Sequence, residues 1–130
     1  MDDNNLPQKD LIKKIVGDAR GAVGIRLCAI GVDLGIFEDL AKNGPATSQE
    51  LAKRMKLDER YLREWGLGMF SLGYLDFDKV SRKISLNEEF IPVLVEEGGK
   101  FSQKGLIEIL NSSLLPYHEL LNSFKNGGGI

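Results

Sequence analysis

Between Pro45 and Leu86 the chain reads PATSQELAKRMKLDERYLREWGLGMFSLGYLDFDKVSRKISL, and this stretch limits the fold more than any other. Thr47 and Glu50 stand in a T-x-x-E capping box, in which each side chain takes one of the backbone N–H groups that a helix start leaves free. A helix is therefore expected from Ser48 to about Met55, with Leu51 and Met55 facing inward. The Lys56-Leu57-Asp58 turn leads to a second N-cap at Asp58 and a helix over roughly Glu59 to Leu72, ended by Gly73. Tyr74 to Phe77 alternates like a strand, Asp78 to Ser81 turns, and Arg82 to Leu86 alternates back. Two short capped helices followed by a hairpin make the pattern of a winged helix-turn-helix.

The flanking segments read as helix. A chain of 130 residues, 42% apolar and 28% charged, has room for one domain with its own core. Residues 1–9 are expected to be a disordered lead. From Asp10, Leu11, Ile15, Ala19, Ala22, Val23, Leu27 and Ile30 recur at helical steps. Gly17, Gly21 and Gly24 interrupt this helix, each at a cost of roughly 1 kcal/mol against alanine. They would let another helix approach closely, within the subunit or across a dimer. A second helix, capped by Asp33, carries Leu34, Phe37, Leu40 and Ala41, and closes at Asn43-Gly44 before Pro45. Downstream, Asn87 caps a short helix ended near Pro92. A helix then runs from Ser102, Pro116 interrupts it, and Tyr117, Leu120, Leu121 and Phe124 share the face of a last helix. The expected fold is mainly α with a small β-hairpin wing: a winged-helix domain over residues 10–99, then a helical connector over 100–130.

Charge and chemistry narrow the function. The net charge is −2, and even the winged-helix segment, residues 45–86, holds only 8 basic groups against 6 acidic, a thin footprint for phosphate binding. Cys28 is the sole cysteine, so no intrachain disulfide is possible and a buried, inert thiol is expected. The start, MDDNNLPQKD, is acidic and polar, unlike a secretory signal. No apolar run approaches the roughly 20 residues needed to span a bilayer. We expect a cytoplasmic protein that does not enter membranes. His118, the one histidine, is flanked by Tyr117 and Glu119, which point elsewhere on a helix. We therefore expect no metal site and no catalytic residue. Nor does any strand–glycine turn–helix segment offer a nucleotide or cofactor site.

The outward face of the second motif helix decides between nucleic acid and protein. With Arg60 at zero and about 100° per residue, Tyr61, Leu62, Trp65, Met69 and Leu72 fall on the core face. Arg60, Glu64, Leu67 and Ser71 lie opposite, flanked by Arg63 and Phe70. A helix that reads bases presents polar groups to the groove and positive charge to phosphate. Here a carboxylate and a leucine occupy the centre, so Leu67 and Phe70 are expected to meet protein. The alternative, a DNA-binding transcriptional regulator, would use Arg60 and Arg63 with Lys79, Arg82 and Lys83 of the wing.

Five segments in order resemble a known family. They are the run CAIGVDLGIFEDL from Cys28 to Leu40, PATSQELA from Pro45 to Ala52, LDERYLREW from Leu57 to Trp65, Gly73-Tyr74-Leu75, and PYHELLNSFKNGGGI from Pro116 to Ile130. Together they resemble the N-terminal winged-helix domain of class I S-adenosylmethionine-dependent methyltransferases, the small-molecule O-methyltransferases among them. The resemblance covers about residues 11–130 and implies a domain that pairs subunits as a homodimer and roofs a substrate pocket. It implies that the catalytic domain, the methyl transfer and the S-adenosylmethionine site lie beyond the connector, and that this chain binds no cofactor. It also implies that Tyr117, Leu121 and Phe124 come closest to substrate, and it gives Leu67 and Phe70 a catalytic domain or second subunit to lie against.

Overall fold

The computed structural model describes residues 7–114 and 116–129. Their elements run α1 (Pro7–Asp33), α2 (Ile36–Asn43), β1 (Ala46–Thr47), α3 (Ser48–Met55), α4 (Glu59–Ser71), β2 (Asp76–Phe77), β3 (Lys83–Ser85), α5 (Ile91–Leu94), α6 (Lys104–Ser113) and α7 (Tyr117–Asn126), with a 3-10 turn at Glu88–Phe90 before α5. The fold is a winged helix-turn-helix extended by helices at both ends. No helix among the described residues is long and apolar enough to cross a membrane.

The motif's caps form as the sequence dictates. Thr47 Oγ1 accepts from the Glu50 N–H at 3.1 Å while Glu50 Oε2 accepts from the Thr47 N–H at 3.3 Å. Asp58 Oδ1 takes the Tyr61 N–H at 3.1 Å. At the far end of α4, the Gly73 N–H reaches Phe70 O and the Tyr74 N–H reaches Met69 O. This is a Schellman closure, with Gly73 at φ 88°. It holds Tyr74 and Leu75 against the helix end, so the wing's first strand is only Asp76–Phe77, shorter than the alternation from Tyr74 suggested. The sheet has three strands, not two. β3 is central, pairing Ile84 with both Ala46 and Phe77 in antiparallel register. β1 is two residues of the segment before α3 and carries no alternation of its own to announce it.

Several boundaries differ from expectation. α1 starts at Pro7, so residues 7–9 are helical, and residues 1–6 lie outside the described set. Asp33 ends α1 and does not cap α2; Gly35, at φ 74°, occupies that cap with no side-chain bond. Pro92 sits in the first turn of α5 and does not end a helix, because the first N–H groups of a helix need no intrahelical partner. α6 begins at Lys104, two residues later than read.

The core lies where α1, α2 and α4 meet. The Phe37 and Trp65 rings stand 5.6 Å apart, tilted by 55°, and Trp65 Nε1–H donates to Leu27 O at 2.8 Å. Gly31 makes this contact possible: a Cβ there would lie 2.6 Å from Phe37 and 2.7 Å from Trp65. Gly66 and Gly68 similarly admit Ile84 and Leu27 against α4. Cys28, Phe37, Leu51, Met69 and Ile84 are among the other buried side chains. Gly31→Ala should cost about 1–3 kcal/mol by overpacking, read as a lower denaturant midpoint. Gly21→Ala, with nothing within 4 Å of the new methyl, should instead stabilise the helix by roughly 1 kcal/mol.

Burial also governs the thiol. Desolvation pushes the Cys28 pKa up from 9.0 to about 11, with the Tyr74 hydroxyl pulling the other way. In the unfolded chain the thiol ionises near its ordinary value, so between pH 9 and 11 the unfolded state binds fewer protons than the native one. The stability that the neutral thiol contributes is complete below pH 9 and is lost as pH rises to about 11, by at most about 3 kcal/mol. Denaturation of wild type and Cys28→Ala should show a steeper alkaline decline for wild type, and a thiol reagent at pH 8 should label Cys28 only on unfolding.

Candidate functional site

Burial divides α1 in two. Its buried residues, Gly24, Cys28, Ala29 and Gly31, all lie in the second half. The first half stands away from the body, and Leu11, Ile12, Ile15, Val16 and Val23 are exposed. Gly17 and Gly21 have open space around them, whereas Gly24 is covered by Leu72 and the Tyr74 ring, 3.6 Å from a built Cβ. Of the three glycines, Gly24 therefore serves packing inside the chain.

Leu67 and Phe70 come together with the wing. They are 38% and 42% exposed, and the Phe70 ring meets Phe77 at 5.8 Å. Leu67 lines a cleft of about 110 Å³ with Arg63, Phe77, Arg82 and the start of α3. The cations do not form a free stripe along this face. Arg63 lies 3.5 Å from Glu59, and Arg82, at φ 60°, stands over the Phe77 ring at 6.0 Å. Asp78 sits among them: the N–H groups of Val80 and Ser81 hold its carboxyl below the usual range. Arg60, Lys79 and Lys83 remain on α4 and the hairpin, interleaved with these groups.

Tyr61, placed on the core side by its angle, is 79% exposed. It occupies the first turn of α4 and with Ile30, Leu34 and Leu57 borders an apolar groove of about 110 Å³. On α7, Tyr117, Leu120, Leu121 and Phe124 are all exposed, Phe124 at 84%. On the same helix a cleft lies against His118, Glu119, Asn122 and Ser123. The Tyr117 ring does not point away from His118 but meets it edge-on at 5.7 Å.

A cavity of about 660 Å³ between the end of α1, α2 and α6 carries Asp33, Glu38, Glu97 and Glu108. Lys104 crosses it to Glu97 at 3.0 Å and to Val95 O at 3.4 Å. Its carboxylates come from four separate segments, so no local pattern could announce it. No group of three or more His, Cys, Asp or Glu able to hold a metal ion is present among the described residues.

The geometry has counterparts in solved structures. Human N-acetylserotonin methyltransferase in complex with SAM matches with a TM-score of 0.73 and 17% identity, over 100% of this chain and 38% of that one. PigF with SAH matches at 0.69 and 18%, over 93% and 34%. An O-methyltransferase family 2 protein from Planctomyces limnophilus, in complex with apigenin, matches at 0.62 and 26%, over 78% and 30%. The chain spans about a third of the length of these solved chains, and it is their N-terminal domain that it resembles. No curated protein matches it. Residues 21–95, more than half of the chain, match the Rv2258c-like winged HTH domain, and the chain belongs to that family.

Proposed function

We propose that this chain is the subunit-pairing and substrate-covering domain of an S-adenosylmethionine-dependent methyltransferase, with no catalytic group of its own. One observation carries this: the winged-helix core is flanked by helices, α1 on one side and α6 and α7 on the other, that expose large apolar side chains. Exposed large apolar side chains gathered on one element mark a surface that meets protein or ligand. α1 supplies the pairing face. α7, with Tyr117, Leu121 and Phe124, supplies the wall that a catalytic domain and its substrate would complete. Leu67 and Phe70 offer that domain a further contact. The resemblance to methyltransferase N-terminal domains supports the assignment; on this reading S-adenosylmethionine is held by a catalytic domain and not by this chain. For the DNA-reading alternative there is no comparable support, since Leu67 and Phe70 hold the outward face of α4 and Arg63 is engaged by Glu59.

Sedimentation of the chain should show a homodimer, and Val16→Glu should weaken it at least tenfold, in line with about 1.5–3 kcal/mol for burying one such side chain. Phe124→Ser should leave the dimer intact. A monomer for wild type, at any accessible concentration, is the result that defeats the pairing role. Calorimetric titration with S-adenosylmethionine should give no heat of binding; saturable binding to this chain would defeat the proposed division of labour.

A further inference from the structure

The apolar face of α1 is symmetric about one residue. Ala19 and Leu27 stand four positions either side of Val23, Val16 and Ile30 seven, and Ile12 and Leu34 eleven. At about 100° per residue all of them fall within roughly 40° of the direction of Val23. Leu34 lies just past α1, yet its N–H still bonds Ile30 O at 3.0 Å, so the face continues through it. Apart from Leu27, half-buried against Gly68, the large members of this set are exposed.

From this we infer that a second copy of the chain lays its α1 antiparallel across this face, with a two-fold axis at Val23. The inference rests on the pairing role proposed above and specifies its register. A two-fold interface must be self-complementary, each residue meeting its counterpart across the axis. Here Val16 of one copy comes level with Ile30 of the other. Ile12 comes level with Leu34, over the groove that Ile30, Leu34, Leu57 and Tyr61 border. Eleven residues at 1.5 Å make about 16 Å on each side of the axis, so both ends reach together.

Charge selects the antiparallel sense. Residues 7–20 carry four basic groups, Lys9, Lys13, Lys14 and Arg20, against two acidic ones. Residues 26–39 carry Arg26 against Asp33, Glu38 and Asp39, the last already held by Arg54. In the antiparallel arrangement the basic half of each copy runs over the acidic end of the other; a parallel one sets like over like.

Single cysteines test the register in the full chain, because native Cys28 is buried and contributes no background. Under a mild oxidant, Val23→Cys should link to itself. Val16→Cys and Ile30→Cys should link to each other when mixed, and neither to its own kind. Each expected link should form roughly tenfold or more faster than for Val80→Cys at the exposed wing tip, since pairing raises the local thiol concentration. Circular dichroism of the reduced variants checks that each remains folded. Self-linking of Val16→Cys and of Ile30→Cys overturns the register in favour of a parallel pair. A dimer by sedimentation in which none of these cysteines links overturns it while leaving pairing through another face. A monomer overturns the register and the pairing role together.

Discussion

The contact between Phe37 and Trp65 across Gly31 is the joint on which the fold closes. α1, α2 and α4 each contribute one of its members, and the indole N–H is spent on the carbonyl of Leu27 in the same helix that supplies the glycine. A large ring is thereby buried without stranding its donor, which is the condition for placing Trp in a core. With α4 fixed against α1, its opposite side receives Ile84 at Gly66, and the central strand of the sheet is located in turn. The wing, the helix-turn-helix and the long helix are therefore not independent modules. One interior contact sets where all three lie.

Around that joint the burial is lopsided. The described residues have no buried charged side chain, and α1's second half, α2, α4 and the sheet build the core, with Leu51, Leu94 and Ile107 added from α3, α5 and α6. Many of the large apolar side chains left exposed lie on α1, α6 and α7, toward the two ends of the chain. A winged helix used on nucleic acid places its investment on the outward face of its second motif helix. In this molecule that face carries Leu67 and Phe70, with Phe70 tied back to the wing through Phe77. The surfaces with the most apolar area lie instead on elements outside the helix-turn-helix.

Local chemistry made the motif readable and long-range packing made the rest obscure. Thr47, Glu50 and Asp58 act on backbone groups within three residues, so their spacing alone disclosed α3 and α4. Leu62, Trp65 and Met69 followed from helical angle. Tyr61 shares that angle but is exposed, at the rim of the groove it borders with Ile30, Leu34 and Leu57; periodicity gives direction and not what lies in that direction. Asp33 looked like a cap, yet continued packing of Val32 and Gly31 carries α1 through it. Pro92 looked like a stop because a first-turn proline and a terminating one are the same residue in different registers. The importance of Gly31 was invisible, since its neighbours Phe37 and Trp65 are brought to it only by the fold. The acidic cavity near Glu38 and Glu108 was hidden for the same reason. The exposed residues of α1 and α7 were found by periodicity, but only the structure separated their uncovered faces from core.

Tyr74 rests on α1 at Gly24, and the guanidinium of Arg20 reaches the carbonyl of Ser71 at 3.2 Å. The middle of the long helix is thus braced from both sides of the α4 terminus. Contacts at Arg20 and Gly24 fix the rotation of the helix at its middle before any partner arrives. A surface fixed in advance has less conformational freedom to surrender to whatever docks on it, and preorganisation of that kind raises affinity.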